Sequence, residues 1–177
     1  LSHNKNKIKE LVRDYVHPET GELINKDRLD VGGLGKARFI LKEGGTLGDL
    51  YTQSDLKRDD NGMVDIDPTG IVAIENNLPD IKLGSVFPKA NLAWSNHFSW
   101  KGISLSALFT ARIGGIVYSA TEAAMDQYGV SERSALARDN GGVLVNNRTL
   151  VDAQNYYTTI GSESGLPQYY TYNATNV

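Results

Sequence analysis

Between Lys89 and Ile113 the apolar positions change parity once. Ala90, Leu92, Trp94, Phe98 and Trp100 fall on even numbers, with Lys89, Asn91, Ser95, His97 and Ser99 between them. That is the period of a strand with one apolar and one wet face. Past Lys101-Gly102 the apolar set moves to odd numbers, Ile103, Leu105, Ala107, Phe109, Ala111 and Ile113, against Ser104, Ser106, Thr110 and Arg112. A two-residue turn at Lys101-Gly102 predicts an antiparallel hairpin over 89–113 in which Trp100 faces Ile103, Phe98 faces Leu105, Trp94 faces Phe109 and Leu92 faces Ala111. A slip of one residue would send the two apolar sets to opposite sides, so the pattern specifies the register. Each arm has room for the roughly 9–11 residues by which a tilted strand crosses a bilayer, against about 5–6 in an ordinary strand. The polar face is small and hydroxyl-rich, as a hydrated lumen requires, and Trp100 beside the turn suits an aromatic belt. The same alternation also fits a long hairpin of a soluble sandwich.

Elsewhere the pattern is cut by turns. Ile8, Leu11, Val12, Tyr15 and Val16 recur at helical spacing before the turn His17-Pro18-Glu19-Thr20-Gly21, so a short helix or a loop fits the first stretch. Ala37, Phe39 and Leu41 alternate with Lys36, Arg38 and Lys42 and predict a strand that Ile40 interrupts. Asn61-Gly62 is a hairpin signal because both residues tolerate positive φ. Asp67-Pro68-Thr69-Gly70 and Asn76-Asn77-Leu78-Pro79-Asp80 add turns.

Past Gly114-Gly115 the period changes. Ser119-Ala120-Thr121-Glu122 is a capping box, Ala123, Ala124, Met125 and Gln127 favour helix, and Gly129 suits the residue past its end. Ser131 caps a second short helix through Ala135 to Arg138, ended by Asn140-Gly141-Gly142. Two short helices over about 119–139 inside a strand series belong to a long loop. Tyr156-Tyr157 and Tyr169-Tyr170-Thr171-Tyr172 read as β-prone segments on either side of Gly161–Gly165.

Composition narrows the classes. The chain of 177 residues, 40% hydrophobic and 22% charged, can bury one core and lies outside the disordered class; its 18 Gly and 9 Tyr favour turns and strands over a helical bundle. A net charge of −3 without Lys/Arg tracts excludes nucleic acid and anionic lipid as electrostatic partners. The absence of cysteine excludes a disulfide framework, thiolate zinc and thiol catalysis, and leaves the compartment open. No run of about 18 apolar residues exists, which excludes a transmembrane helix but not a membrane barrel, whose alternating strands average out in hydropathy. Leu1 is not an initiator and no closing strand precedes Val177, so the chain is expected to be cut at both ends.

Leu83-Gly84-Ser85-Val86-Phe87-Pro88-Lys89, then Asn96-His97-Phe98-Ser99-Trp100-Lys101-Gly102-Ile103-Ser104-Leu105, then Arg112-Ile113-Gly114-Gly115, resemble in order and spacing a stretch of SusC/RagA-like, TonB-linked outer-membrane proteins. Leu41-Lys42-Glu43-Gly44, Arg58-Asp59-Asp60-Asn61-Gly62, Ala137-Arg138-Asp139-Asn140-Gly141-Gly142 and Ala174-Thr175-Asn176-Val177 extend the resemblance over most of the chain. It implies an all-β fold with a short helical insert, part of a transmembrane antiparallel β-barrel with large extracellular loops. Lys101-Gly102 would then be a periplasmic turn, and Gly114 to Tyr172 much of an extracellular loop. It also implies nutrient import of oligosaccharide or peptide cargo across the outer membrane, a SusD-like surface lipoprotein as lid, membrane lipid around the barrel, and a TonB complex acting through a plug region absent from this chain. A soluble all-β carbohydrate-binding or adhesin module is the alternative.

Enzyme chemistry finds little footing. His3, His17 and His97 have no metal-ligand spacing, and no catalytic motif is present. Asp59, Asn61, Asp65 and Asp67 evoke a calcium loop, but Val64 and Gly70 stand where an EF-hand needs Gly and Glu. Gly32-Gly33-Leu34-Gly35-Lys36-Ala37 lacks the spacing of a phosphate loop and reads as a flexible turn. No cofactor is expected. Tyr156, Tyr157, Tyr169, Tyr170 and Tyr172 are the candidate ligand or partner contacts, since an aromatic face suits the C–H surface of a sugar and its hydroxyl the polar groups. Packing within strands or a barrel girdle is the structural alternative.

Overall fold

Lys101 and Gly102 both take positive φ, +46° and +86°, the geometry of a two-residue turn whose twist matches the strands it joins. The turn joins strands Ala90–Trp100 and Ile103–Ile113, each of 11 residues. Their register is the expected one: Trp100 faces Ile103, Phe98 faces Leu105, Trp94 faces Phe109 and Leu92 faces Ala111. Trp94 stacks on Phe109 with centroids 5.4 Å apart, a cross-strand contact that a slipped register would remove. The structure, a computed structural model, describes residues 1–3 and 5–176. It is 43% strand with short helices, hence mostly β, and the described residues form no closed barrel.

Ser2–His3 adds a short strand to the hairpin beside Ala90 and Asn91. Arg28–Leu34, Ala37–Lys42, Asp49–Thr52 and Ile81–Ser85 form a four-stranded antiparallel sheet. Two expectations are corrected nearby. The first stretch is neither helix nor plain loop, because Val12–Val16 pairs with Leu23–Lys26 across a turn that His17 stabilises. The Nδ1 of His17 accepts from the backbone N–H of Glu19 and Thr20, both at 3.3 Å. Gly32-Gly33 lies within a strand rather than in a flexible turn. A Cβ at Gly33 would stand 2.0 Å from the carbonyl oxygen of Ala37, so glycine permits the close approach of the two strands.

Two excursions leave this framework. The first, 53–80, departs from Asp49–Thr52 and returns into Ile81–Ser85, with Thr52 facing Ile81. Its middle repeats every eight residues: Leu56, Val64 and Val72 are equivalent, and Asp59-Asp60-Asn61-Gly62 recurs as Asp67-Pro68-Thr69-Gly70. Each leading aspartate accepts from two N–H groups of its own turn, Asn61 and Met63 in one, Thr69 and Ile71 in the other. The backbones of Lys57, Asp65 and Ala73 close a ring, N–H to carbonyl, at 2.8, 2.8 and 3.0 Å. The Asn61-Gly62 signal is therefore corrected in detail: Gly62 takes positive φ, +78°, and Asn61 does not. The turn is built from the Asp59 side chain instead.

The second excursion has a neck in which Ile116–Tyr118 pairs with Thr171–Asn173. Between them lie α1 (Ala120–Gln127), α2 (Glu132–Asp139), α3 (Ala153–Gly161) and a short hairpin of Val143–Val145 with Thr149–Val151. Ser119, Ser131 and Asp152 cap the helices, accepting from the N–H of Glu122, Ser134 and Asn155. The first two helices stand where the capping signals predicted. The two excursions share one core, in which Leu56 and Val72 of the first meet Ala123, Val145, Val151, Ile160, Leu166 and Tyr170 of the second. α3 meets α1 at Gly161, where a Cβ would lie 2.6 Å from the carbonyl oxygen of Ala123 and 2.8 Å from the N of Gln127. Gly161→Ala is expected to prise the helices apart and destabilise the protein by about 1–3 kcal/mol, measured by chemical denaturation followed through the tyrosine near-ultraviolet signal.

Candidate functional site

The long hairpin presents its apolar face uncovered. Trp94 is 59% exposed, Phe98 62%, Trp100 68%, Leu105 64% and Phe109 60%. On the opposite face His97 Nδ1 lies 2.7 Å from Ser106 Oγ, beside Ser99 and Ser104, although Leu108 also stands there, exposed. Ser2–His3 pairs only with Asn91 and Ala90, and Asn176 only with Arg112. From Leu92 to Trp100, and from Ile103 to Ala111, the outer backbone edges are therefore unpaired among the described residues. Such edges are templates for further strands.

The five tyrosines are gathered in the second excursion, in different settings. Tyr156 and Tyr157 lie on α3, not on a strand, with rings edge to face at 5.4 Å. The correction has a physical cause: Asp152 caps the helix, and Ala153, Tyr156, Tyr157 and Ile160 recur at helical spacing, which overrides the β propensity of tyrosine. Tyr169 ends the 3-10 turn Pro167–Tyr169, and Tyr172 lies exposed on the neck strand. Tyr170 is fully buried in the shared core and offers no face for stacking.

Tyr170 belongs instead to a polar hub. Its hydroxyl donates to Asp126 Oδ2 at 2.9 Å, Ser131 Oγ donates to Oδ1, and Arg133 pairs with the same carboxylate. Asp126 is completely buried, and the Arg133 guanidinium lies over the Tyr170 ring at 4.8 Å and near Tyr157 at 5.7 Å. Burial first, then the hydrogen bond to and charge of Asp126, hold the Tyr170 phenol far above its usual range. Burial, then the neighbouring Tyr169 and Tyr157, push the Tyr156 phenol up to about 12.

Tyr156 and Tyr169 are the two that line an open space. They form one side of a groove of about 430 Å3 whose other walls carry Arg58, Met63, Leu144 and Asn147. Sequence reasoning missed Arg58, Asn147 and the Asp126 hub, because nothing local marks residues that meet only through tertiary packing. The dipeptide Asn146-Asn147 was the one available signal, since both residues take positive φ, +56° and +57°, at the tip of the short hairpin.

The histidines are dispersed: His17 holds a turn, His97 faces Ser106, and His3 Nδ1 contacts the Lys89 carbonyl at 2.6 Å. Asp65 pairs with Lys57 at 2.8 Å, while Asp59 and Asp67 bind their own turns. Among the described residues no three His, Asp or Glu side chains are grouped to hold a metal ion. No protein-family model matches the chain, and comparison with curated proteins finds no match either.

Removing the hub carboxylate with Asp126→Asn is expected to cost about 3 kcal/mol, the low end for breaking a buried pair because Arg133 remains 33% exposed; urea denaturation measures it. The raised Tyr156 phenol keeps its proton in the folded chain after an unfolded chain, with the ordinary value of 10.0, has lost it. That contribution to stability is complete below about pH 10 and is lost as pH rises towards 12. Tyr156→Phe is expected to flatten the alkaline limb of a stability–pH curve.

Proposed function

We propose that this chain supplies strands and extracellular loops to the barrel of a SusC/RagA-like, TonB-dependent transporter in the outer membrane, importing oligosaccharides or peptides. One observation carries the reading: two 11-residue strands hold an apolar band on one face, interrupted only at Asn96, opposite a largely polar face, and the band is uncovered among the described residues. Strands of that length and alternation suit a bilayer on one side and water on the other. The pairing at the hairpin's open end supports the same reading, since Asn176 takes up the free edge at Arg112 and Ser2–His3 takes up the other, as neighbouring barrel staves do. Among the described residues no helix is long and apolar enough to cross a membrane, and the reading assigns the crossing to strands.

In this arrangement the shared-core cap of the two excursions lies on the extracellular side under a SusD-like lipoprotein. TonB acts through the plug region of the parent transporter. A soluble carbohydrate-binding or adhesin module would bury Leu92, Trp94, Leu105 and Phe109 in its own core, whereas they are 38%, 59%, 64% and 60% exposed.

The test uses the full-length gene product in outer membranes. Phe109→Arg places a charge on the apolar band at mid-strand and is expected to cost about 2–4 kcal/mol near the bilayer midplane, abolishing the heat-modifiable folded form and cargo uptake. His97→Arg, on the polar face, is expected to leave folding intact. Equal tolerance of both, or recovery of the protein in the aqueous fraction without detergent, would overturn the reading.

A further inference from the structure

The groove between the two excursions has a built wall and an exposed cation, Arg58, that no carboxylate neutralises among the described residues. Asn146 Oδ1 accepts from the N–H of Val64 at 2.8 Å and its Nδ2 donates to the Val64 carbonyl at 2.9 Å, which pins the short hairpin to the repeat of the first excursion. With Asn146 consumed in that clamp, Asn147 is left at the rim, exposed and bound to no other side chain among the described residues. Arg58 donates Nη1 to the Gly62 carbonyl at 3.0 Å and is paired with no carboxylate among the described residues. Asp55, whose charge reaches Tyr169, is already held by Gln168 Nε2 at 2.6 Å and by the N–H of Leu56 at 2.7 Å. The Arg58 charge acts in turn on the phenols of both Tyr156 and Tyr169.

We infer that this groove binds an acidic saccharide, with the carboxylate of a hexuronic acid on Arg58 and its ring hydroxyls on Asn147 and the phenols of Tyr156 and Tyr169. The planar guanidinium fork matches a carboxylate in two parallel hydrogen bonds, and these are the strong ones. Half-buried tyrosines beside Met63 and Leu144 suit the C–H edges of a pyranose, while an amide and two phenols suit its hydroxyls. The volume of about 430 Å3 falls in the range of small-ligand sites. The inference deepens the importer reading and rests on it for the role of the ligand as cargo.

The experiment is calorimetric titration of the detergent-solubilised full-length protein with trigalacturonate, with its fully methyl-esterified form, and with an acidic tripeptide. The acid is expected to bind at least about tenfold more tightly than the ester, the worth of one charge-assisted contact. Arg58→Gln is expected to erase that preference and to leave binding of the ester within about twofold. Arg58→Lys keeps the charge and is expected to retain part of the preference, which separates loss of the cation from misfolding. Equal binding of acid and ester, no binding of either, an indifferent Arg58→Gln, or preference for the peptide each overturns the inference. A protein that inserts in the outer membrane yet treats acid and ester alike sinks the groove and leaves the importer reading standing. A protein soluble without detergent that still takes the acid through Arg58 does the reverse.

Discussion

A turn of two residues at positive φ governs this molecule. With Lys101 and Gly102 consumed in the reversal, Trp100 must face Ile103, and the pairing then runs without a bulge to Ala90 and Ile113. Every cross-strand neighbour follows from that single geometric condition, including the stack of Trp94 on Phe109. The same condition collects the aromatic residues on one side, where none of the described residues covers them. Apolar surface held in water at this scale is a standing demand for a partner phase. The reverse side, mostly hydroxyl, amide and imidazole groups, makes no such demand.

The cap follows a different economy. It buries a carboxylate, but Asp126 receives a hydroxyl from Ser131, another from Tyr170 and the guanidinium of Arg133, so its charge and lone pairs are met. In the eight-residue repeat, Asp59 and Asp67 are pushed below the usual carboxylate range, Asp59 chiefly by the N–H of Met63 and Asp67 chiefly by the hydroxyl of Thr69. These aspartates serve the backbone in place of strand partners. The result is irregular chain, short of long sheets, in which turn residues take over the role of ladders.

Legibility in the sequence tracked the range of the interaction. The long hairpin and its register were readable because parity and turn chemistry lie within 25 consecutive positions, 89–113. The Ser119 and Ser131 caps were readable for the same reason. Val12–Val16 misled because its apolar spacing is set by a bulged two-stranded pairing, not by a helix. Tyr156-Tyr157 misled because the Asp152 cap and the helical spacing of Ala153, Tyr156, Tyr157 and Ile160 override the β propensity of tyrosine. Tyr170 was legible as an aromatic but not as a core residue, since its enclosure depends on Leu56 and Val72 from far upstream. Arg58 and Asn147 line one groove from different excursions, and only the Asn146-Asn147 dipeptide gave a local sign of either.

The shared core also constrains how such a molecule diversifies. Because Leu56 and Val72 are packed in one cluster with Ala123, Ile160 and Leu166, the first excursion finds its buried partners in the second. A segment transplanted alone into a related scaffold would arrive with part of its packing missing. Changes in one arm are admissible only when matched in the other, so the pair is the unit of inheritance and of grafting, to be lifted out at its two strand necks together.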